Sequence, residues 1–189
     1  MPSTPGEPVR SRIRRGAGLV AAVALVAAGC ADDDSTVEAA EPEPVEVVAV
    51  DFEFRDLPES VPAGTRLTIV NEAATELHEI VALRIPDEEE RSADELVQLP
   101  PDELEAAMGP IAPATVLLAA PGGDQITAVG DGTLDEPGRY LLVCMIPTGV
   151  DPDAYLAAAA EAGDGPPQID GGGPPHIAHG MYAELIVEG

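Results

Sequence analysis

The sequence predicts an all-β domain: a sandwich of short strands with short helical insertions. Three observations carry that prediction. Apolar residues alternate with polar or small ones over short runs, the period of a half-buried strand. Glycine and proline, 19 and 20 residues, punctuate the chain between those runs, and about seven runs fit one sandwich. Helical patterns are confined to two segments, 92–108 and 151–163.

The first run is 45–54, where Val48, Val50, Phe52 and Phe54 fall on one face. Pro58 to Gly64 reads as a turn-rich link. Leu67 and Ile69 alternate in a second strand that ends at Asn71, and His78 to Ile85 is a third. Pro86 and the acidic run from Asp87 to Glu90 terminate it. In the segment from Ser92 to Met108, Ser92 is an N-cap and Glu95 completes a capping box. Pro100-Pro101 interrupts that segment and Gly109 stops it. A helical crossing between strands accounts for it more simply than a partner surface does. Thr115 to Ala119 and Gln125 to Val129 are strands parted by Pro121-Gly122-Gly123. Tyr140 to Met145 is the next strand and Tyr182 to Glu188 the last, with Ala183, Leu185 and Val187 on one face. The expected pairing is antiparallel.

The stretch ahead of Val45 reads as an address and a tether. Arg10, Arg12, Arg14 and Arg15 precede an apolar run from Ala17 to Ala28, too short for a membrane span. A basic start, an apolar middle and small residues at the end make a secretory signal over 1–29. Its end, Ala27-Ala28-Gly29-Cys30, resembles the lipobox of bacterial lipoproteins, which implies that Cys30 carries a lipid and opens the mature chain. Residues 30–44 hold Asp32-Asp33-Asp34 and the Glu41-to-Pro44 run, with no apolar period to bury. The expected organisation is a signal peptide over 1–29, an acidic, proline-rich tether over 30–44 and one folded domain over 45–189. The chain would then sit lipid-anchored on the extracytoplasmic face of the cell membrane.

Charge excludes some partners. The formal net charge is −26, with 35 acidic and nine basic residues and no lysine. Four of the nine basic residues lie before Cys30, so the folded part is more acidic still. Nucleic acid and anionic lipid headgroups are therefore poor partners, and a basic protein or a cation is a better one. Solubility is the simplest account of the charge as a whole. No repeat, phosphate-binding glycine loop or hydrolase elbow appears, and aromatic residues, 3% of the chain, are too few for a base-stacking surface. If Cys30 is lipidated, Cys144 has no disulfide partner. A lone thiol in an oxidising compartment is then either buried or bound to something.

The soft metal ligands of the folded part fall in a telling order. His78 lies behind Asn71. Gly138-Arg139-Tyr140 leads through three residues to Cys144, and His176-Ile177-Ala178-His179-Gly180-Met181 precedes the last strand. A copper ion that changes oxidation state is suited by mixed donors. Two imidazoles and a thiolate in one plane, with a weak axial thioether, form the blue-copper arrangement. Taken singly, Cys144 reads as a buried thiol, His78 as a satisfied histidine and Met181 as core. Taken together they make a candidate copper site.

The order and spacing resemble the cupredoxins, the plastocyanin and azurin group. That pattern has an Asn several residues before the first His, a Gly-x-Tyr before the Cys, and four residues between the second His and the Met. The sequence Val61-Pro62-Ala63-Gly64-Thr65 is similar to the family's turn before its second strand. The resemblance covers the chain from about Val45 onward. It implies a Greek-key β-sandwich holding one copper ion. His78, Cys144, His176 and Met181 would be its ligands, Asn71 a brace acting through backbone hydrogen bonds, and Tyr140 a structural tyrosine corner. His179 is left open, as a substitute for His176 or as an exposed edge beside the metal. Glu79 reads as a solvated strand residue.

One departure stands out. In plastocyanin-like sites the Cys and the second His share a short loop, whereas here residues 145–175 intervene. Asp151 and Pro152 start a helix that runs from Ala154 to Ala162 and stops at Gly163. Three glycines, 171–173, and two prolines turn the chain back. Loop closure costs grow slowly with length. The insert therefore has four outcomes: it bulges out and leaves Cys144 beside His176, covers the site, loosens it, or marks a module without metal. The functional expectation is electron transfer at a membrane-tethered copper centre with a basic or redox partner. Copper capture and delivery, or a metal-free binding module on the same fold, are the alternatives. One mononuclear site offers no substrate chemistry, so an enzyme is not expected.

Overall fold

A computed structural model describes residues 41–189 apart from 111, 164 and 166. The signal segment, Cys30 and most of the tether lie outside the described residues. The described part is a sandwich of two sheets with short helices.

The smaller sheet has the order β2-β1-β4-β8. Its members are β1 (Val45–Val50), β2 (Glu53–Arg55), β4 (Thr65–Asn71) and β8 (Thr133–Leu134). The larger sheet has the order β3-β10-β9-β5-β6-β7. It is built from β3 (Ser60–Pro62), β5 (His78–Arg84), β6 (Thr115–Ala119), β7 (Gln125–Val129), β9 (Gly138–Val143) and β10 (Tyr182–Glu188). Two pairings depart from the antiparallel expectation: β1 runs parallel to β4, and β3 parallel to β10. Each joins strands that a longer connection has brought side by side, and no turn signal between neighbouring runs reports such a pair.

The expected first strand, 45–54, is two strands. Asp51 and Phe52 form a tight turn, so that Val50 faces Glu53 in an antiparallel hairpin. Phe52 takes a left-handed φ of 62°, which is unusual for a bulky residue. The buried face of β1 carries Val47 and Ala49, both 0% exposed, and Val48 and Val50 lie on the other side. Both faces of this run are apolar, so its alternation is ambiguous, and pairing with β4 settles the phase.

The core between the sheets contains Val47, Leu67, Ile69, Ile80, Leu117, Leu142, Cys144, Met181 and Leu185. Strand β9 is buried on both faces. Tyr140 and Leu142 point into this core, and Leu141 and Val143 into a second cluster with Ile85, Leu96 and Met108. Two helices, α1 (Ala93–Leu96) and α2 (Pro101–Met108), cover that second cluster. The capping box on α1 is present: Ser92 Oγ accepts from Glu95 N, and the Glu95 carboxylate accepts from Ser92 N at 2.9 Å. Arg139 anchors the preceding loop, donating to Glu184 at 2.6 Å and to the Glu89 and Arg91 carbonyls.

The insert is zipped at its base. His176 N donates to Ile146 O at 3.0 Å, Ile177 N to Cys144 O at 2.9 Å and Gly173 N to Thr148 O at 2.8 Å, and Pro147 and Pro175 form a β-bridge. Beyond the zip, α3 (Pro152–Ala162) starts at Asp151, whose carboxylate accepts from Ala154 N at 2.9 Å. Tyr155 of α3 is buried in the same core cluster as Cys144, and Leu156, Ala159 and Ile169 pack against it. Gly172, at φ +83°, has room for no side chain, because a Cβ there would stand 2.8 Å from Pro147 and 2.9 Å from Val150. The insert therefore folds back on the domain and leaves its ends adjacent.

Candidate metal centre

Three of the expected ligands converge at one end of the sandwich. His78 is the first residue of β5, Cys144 directly follows β9, and His176 opens the 3-10 turn His176–His179. All three are 0% exposed. The His78 and His176 Nδ1 atoms are 3.1 Å apart. Cys144 Sγ stands 3.2 Å from His176 Nδ1 and 4.0 Å from His78 Nδ1. A point in the plane of that triangle lies about 2.0 Å from each corner, close to a metal–imidazole bond length and a little short of a metal–thiolate one. Met181, also 0% exposed, is fastened to both neighbours by its backbone: its N–H donates to His176 O at 3.1 Å and its carbonyl accepts from Cys144 N at 3.2 Å.

This set fits a single bound metal ion better than it fits core filling. The group could hold a metal by its distances alone. As core filling it is expensive, because His78 Nδ1, His176 Nδ1 and Cys144 Sγ, all of buried residues, face one another away from water, and a cation between them would engage all three at once. Two imidazoles and a thiol, with Met181 tied by its backbone to His176 and Cys144, form a mixed soft donor set that suits one copper ion.

Burial keeps the group uncharged without metal. Removal from water, then the neighbouring His176, lowers the His78 pKa to about 4. Burial also lowers His176, against an upward pull from Glu76. The Cys144 thiol is pushed up to about 12, by burial first and by the Glu79 carboxylate second. A cation bound through the thiolate must therefore displace a proton.

Asn71 ties the loop that leads into His78. Its Nδ2 donates to Glu76 O at 2.9 Å and to Ala119 O at 2.7 Å, and its Oδ1 accepts from Ala73 N at 2.8 Å. Tyr140 Oη donates to Glu136 O at 2.9 Å, the corner bond that the Gly-x-Tyr motif implies. His179 is exposed and apart from the three converging side chains. Its ring lies on Phe52, with centroids 4.7 Å apart, and Phe52 also meets His176 edge-on at 5.1 Å. His176, one turn earlier, is the histidine that faces the thiol.

Glu79 departs from its reading as a solvated residue. It is 5% exposed, its N–H approaches Cys144 Sγ at 3.5 Å, and its Oε1 accepts from Met145 N at 3.0 Å. Burial raises its pKa to about 7. Strand β5 is covered on both faces, so the alternate position is not a solvent position. Glu76 and Phe52 join the site beside His176 without a sequence motif that marks them. Glu76 Oε2 stands 3.3 Å from His176 Nε2, a bent approach at ion-pair distance through which the carboxylate draws the His176 pKa upward. Its place between Asn71 and His78 was the only sequence signal available, and Phe52 gave none beyond its apolarity.

The sandwich, with one histidine ahead of a strand pair and three residues around the closing loop, is the arrangement the family resemblance implies. The fold is a two-sheet β-sandwich. No family model and no curated protein matches the chain. Among solved structures, it is similar to an auracyanin from Roseiflexus castenholzii at 21% identity and a TM-score of 0.40, covering 77% of this chain and 97% of that one. The auracyanin A of Chloroflexus aurantiacus, a "blue" copper protein, aligns at 16% identity and a TM-score of 0.35, over 77% and 99% of the two chains. A chain of a heme-copper terminal oxidase dimer aligns at 15% and 0.35, over 80% and 68%. Likenesses this distant carry no argument of their own. The fold rests on the strand order and the centre on its distances.

Proposed function

We propose that His78, Cys144, His176 and Met181 would hold one copper ion, and that the protein passes single electrons. The convergence of two Nδ1 atoms and one Sγ within 4.0 Å, all buried, carries this reading. When bound, the copper supplies a one-electron couple.

The chain's own part is to fix the donors and keep water out. His78 is held by the β5 ladder and by the Asn71-braced loop, and Cys144 and His176 by the zipped base of the insert. Donors fixed in this way move little when the metal changes charge. The Cys144 proton leaves as the metal enters. Complete burial of the three donor residues favours a held ion over an exchangeable one, so electron transfer is preferred to copper delivery. The ending Ala27-Ala28-Gly29-Cys30 supports a lipid anchor at Cys30 and an extracytoplasmic location, and the net charge of −26 supports a basic or cationic redox partner. Nothing in the donor set supplies a substrate site, so the protein is read as a carrier and not as an enzyme.

The deciding experiment titrates residues 41–189 with Cu(II) beside a Cys144→Ser control and records the visible spectrum. An intense thiolate-to-copper charge-transfer band that the control lacks is the expected result. Copper bound without that band would move the reading to delivery. No copper bound in either oxidation state would leave the fold as a metal-free module.

A further inference from the structure

We infer that Glu76 is a positioning residue for the metal centre: its carboxylate holds the His176 ring with Nδ1 turned to the metal and favours the more highly charged metal state. This inference rests on the copper reading above.

Glu76 is held at three points. Its carbonyl accepts from Asn71 Nδ2 at 2.9 Å, its Oε2 accepts from Gly149 N at the base of the insert at 3.0 Å, and the same oxygen stands 3.3 Å from His176 Nε2. The side chain is only 16% exposed, so its charge is poorly screened. A neutral imidazole carries one N–H. His176 Nδ1 lies 3.2 Å from Cys144 Sγ and 3.1 Å from His78 Nδ1, so it needs a free lone pair to bind a cation in that cluster. The proton then sits on Nε2, which is buried, and among the described residues the Glu76 carboxylate is the acceptor standing beside it. A carboxylate on the outer N–H of a ligating imidazole fixes the tautomer and makes the inner nitrogen a stronger donor. A cation on Nδ1 also acidifies Nε2–H, which tightens an approach that is bent without it.

The negative charge acts more strongly on the oxidised metal, which carries one charge more. It therefore lowers the reduction potential. A residue that only clipped the insert to the loop would not discriminate between oxidation states. Its loss would weaken both equally.

Glu76→Gln separates the two roles. Glutamine keeps the size and an oxygen for Gly149 N, and removes the charge. The expected result is that Cu(II) affinity falls about tenfold relative to Cu(I) affinity, which raises the potential by about 59 mV for one electron. Equal loss of both affinities, with the potential unmoved, would overturn the inference and leave Glu76 as a clip. A second readout needs no metal. In the metal-free protein, ¹⁵N–¹H correlation spectra of the imidazoles should show His176 protonated on Nε2, with that preference lost in Glu76→Ala. A wild-type ring protonated on Nδ1 would also overturn it. If the wild type binds no copper, the copper reading fails and takes this role with it. Copper bound by the wild type with an unmoved potential in Glu76→Gln sinks the role of Glu76 alone.

Discussion

Replacing Asn71 with alanine should cost the domain about 3 kcal/mol. Asn71 is 2% exposed and makes three hydrogen bonds, two donated from Nδ2 to Glu76 O and Ala119 O and one accepted by Oδ1 from Ala73 N. A buried hydrogen bond is worth about 1 kcal/mol net, and more when its loss leaves the partner unsatisfied. The Ala119 partner is itself 0% exposed, so water cannot easily replace the lost donor there. Urea unfolding of the metal-free domain is the assay. With a slope of about 2 kcal/mol/M, the midpoint should fall by about 1.5 M. Asn71→Asp is the sharper companion. It keeps the acceptor for Ala73 N but aims an oxygen at two carbonyls, so it should be no milder than alanine. A loss below about 1 kcal/mol in Asn71→Ala, or a harmless Asn71→Asp, would refute the claim that these bonds fasten the loop. The same loop carries Glu76 and ends at His78, so the metal off-rate should rise in both variants.

Two further predictions concern the core of the site. In the metal-free protein the Glu79 carboxyl is raised from 4.5 to about 7. The folded chain keeps this proton where the unfolded chain loses it, so the stability it supports is full below pH 4.5 and is lost as pH rises to about 7. That loss amounts to at most about 3 kcal/mol. His78, lowered to about 4, acts in the opposite sense: its contribution is present above pH 6.5 and is lost as pH falls toward 4. The two slopes oppose each other between pH 4.5 and 6.5. Glu79→Gln should therefore gain stability over the wild type as pH rises through this window. Chemical denaturation across pH reads it, and a pH-independent difference would contradict the burial argument. Met181→Leu conserves volume and should cost the metal-free domain less than about 1.5 kcal/mol. It should still change the spectrum and potential of the copper form. Unchanged copper properties would make Met181 a core residue only.

Most strands were legible because their periods are local. Thr115–Ala119 and Gln125–Val129 match the expected runs, and the Ser92 capping box and the Asp151 cap sit where the sequence placed them. Local chemistry decides such features. The phase of β1 was not legible, because Val45 to Val50 is apolar on both faces and only pairing with β4 selects Val47 and Ala49. Strands β3 and β8, of three and two residues, are too short for any period and exist through their partners β10 and β4.

The sequence by itself determined the donor inventory of the folded part, residues 45–189: the Cys144 thiol, three imidazoles and the Met181 thioether, in an order that resembles the cupredoxins. Tertiary structure decided which of them meet. It turned His176 and not His179 toward Cys144, buried Glu79 against the thiol, and set Glu76 beside the far nitrogen of His176. It also closed the 31-residue insert, 145–175, at its base, which brings Cys144 and His176 within 3.2 Å. The physical reason is common to all four. Spacing along a chain fixes neighbours over a turn or a strand, whereas contacts between distant segments depend on which backbone hydrogen bonds and buried surfaces the whole domain can satisfy at once.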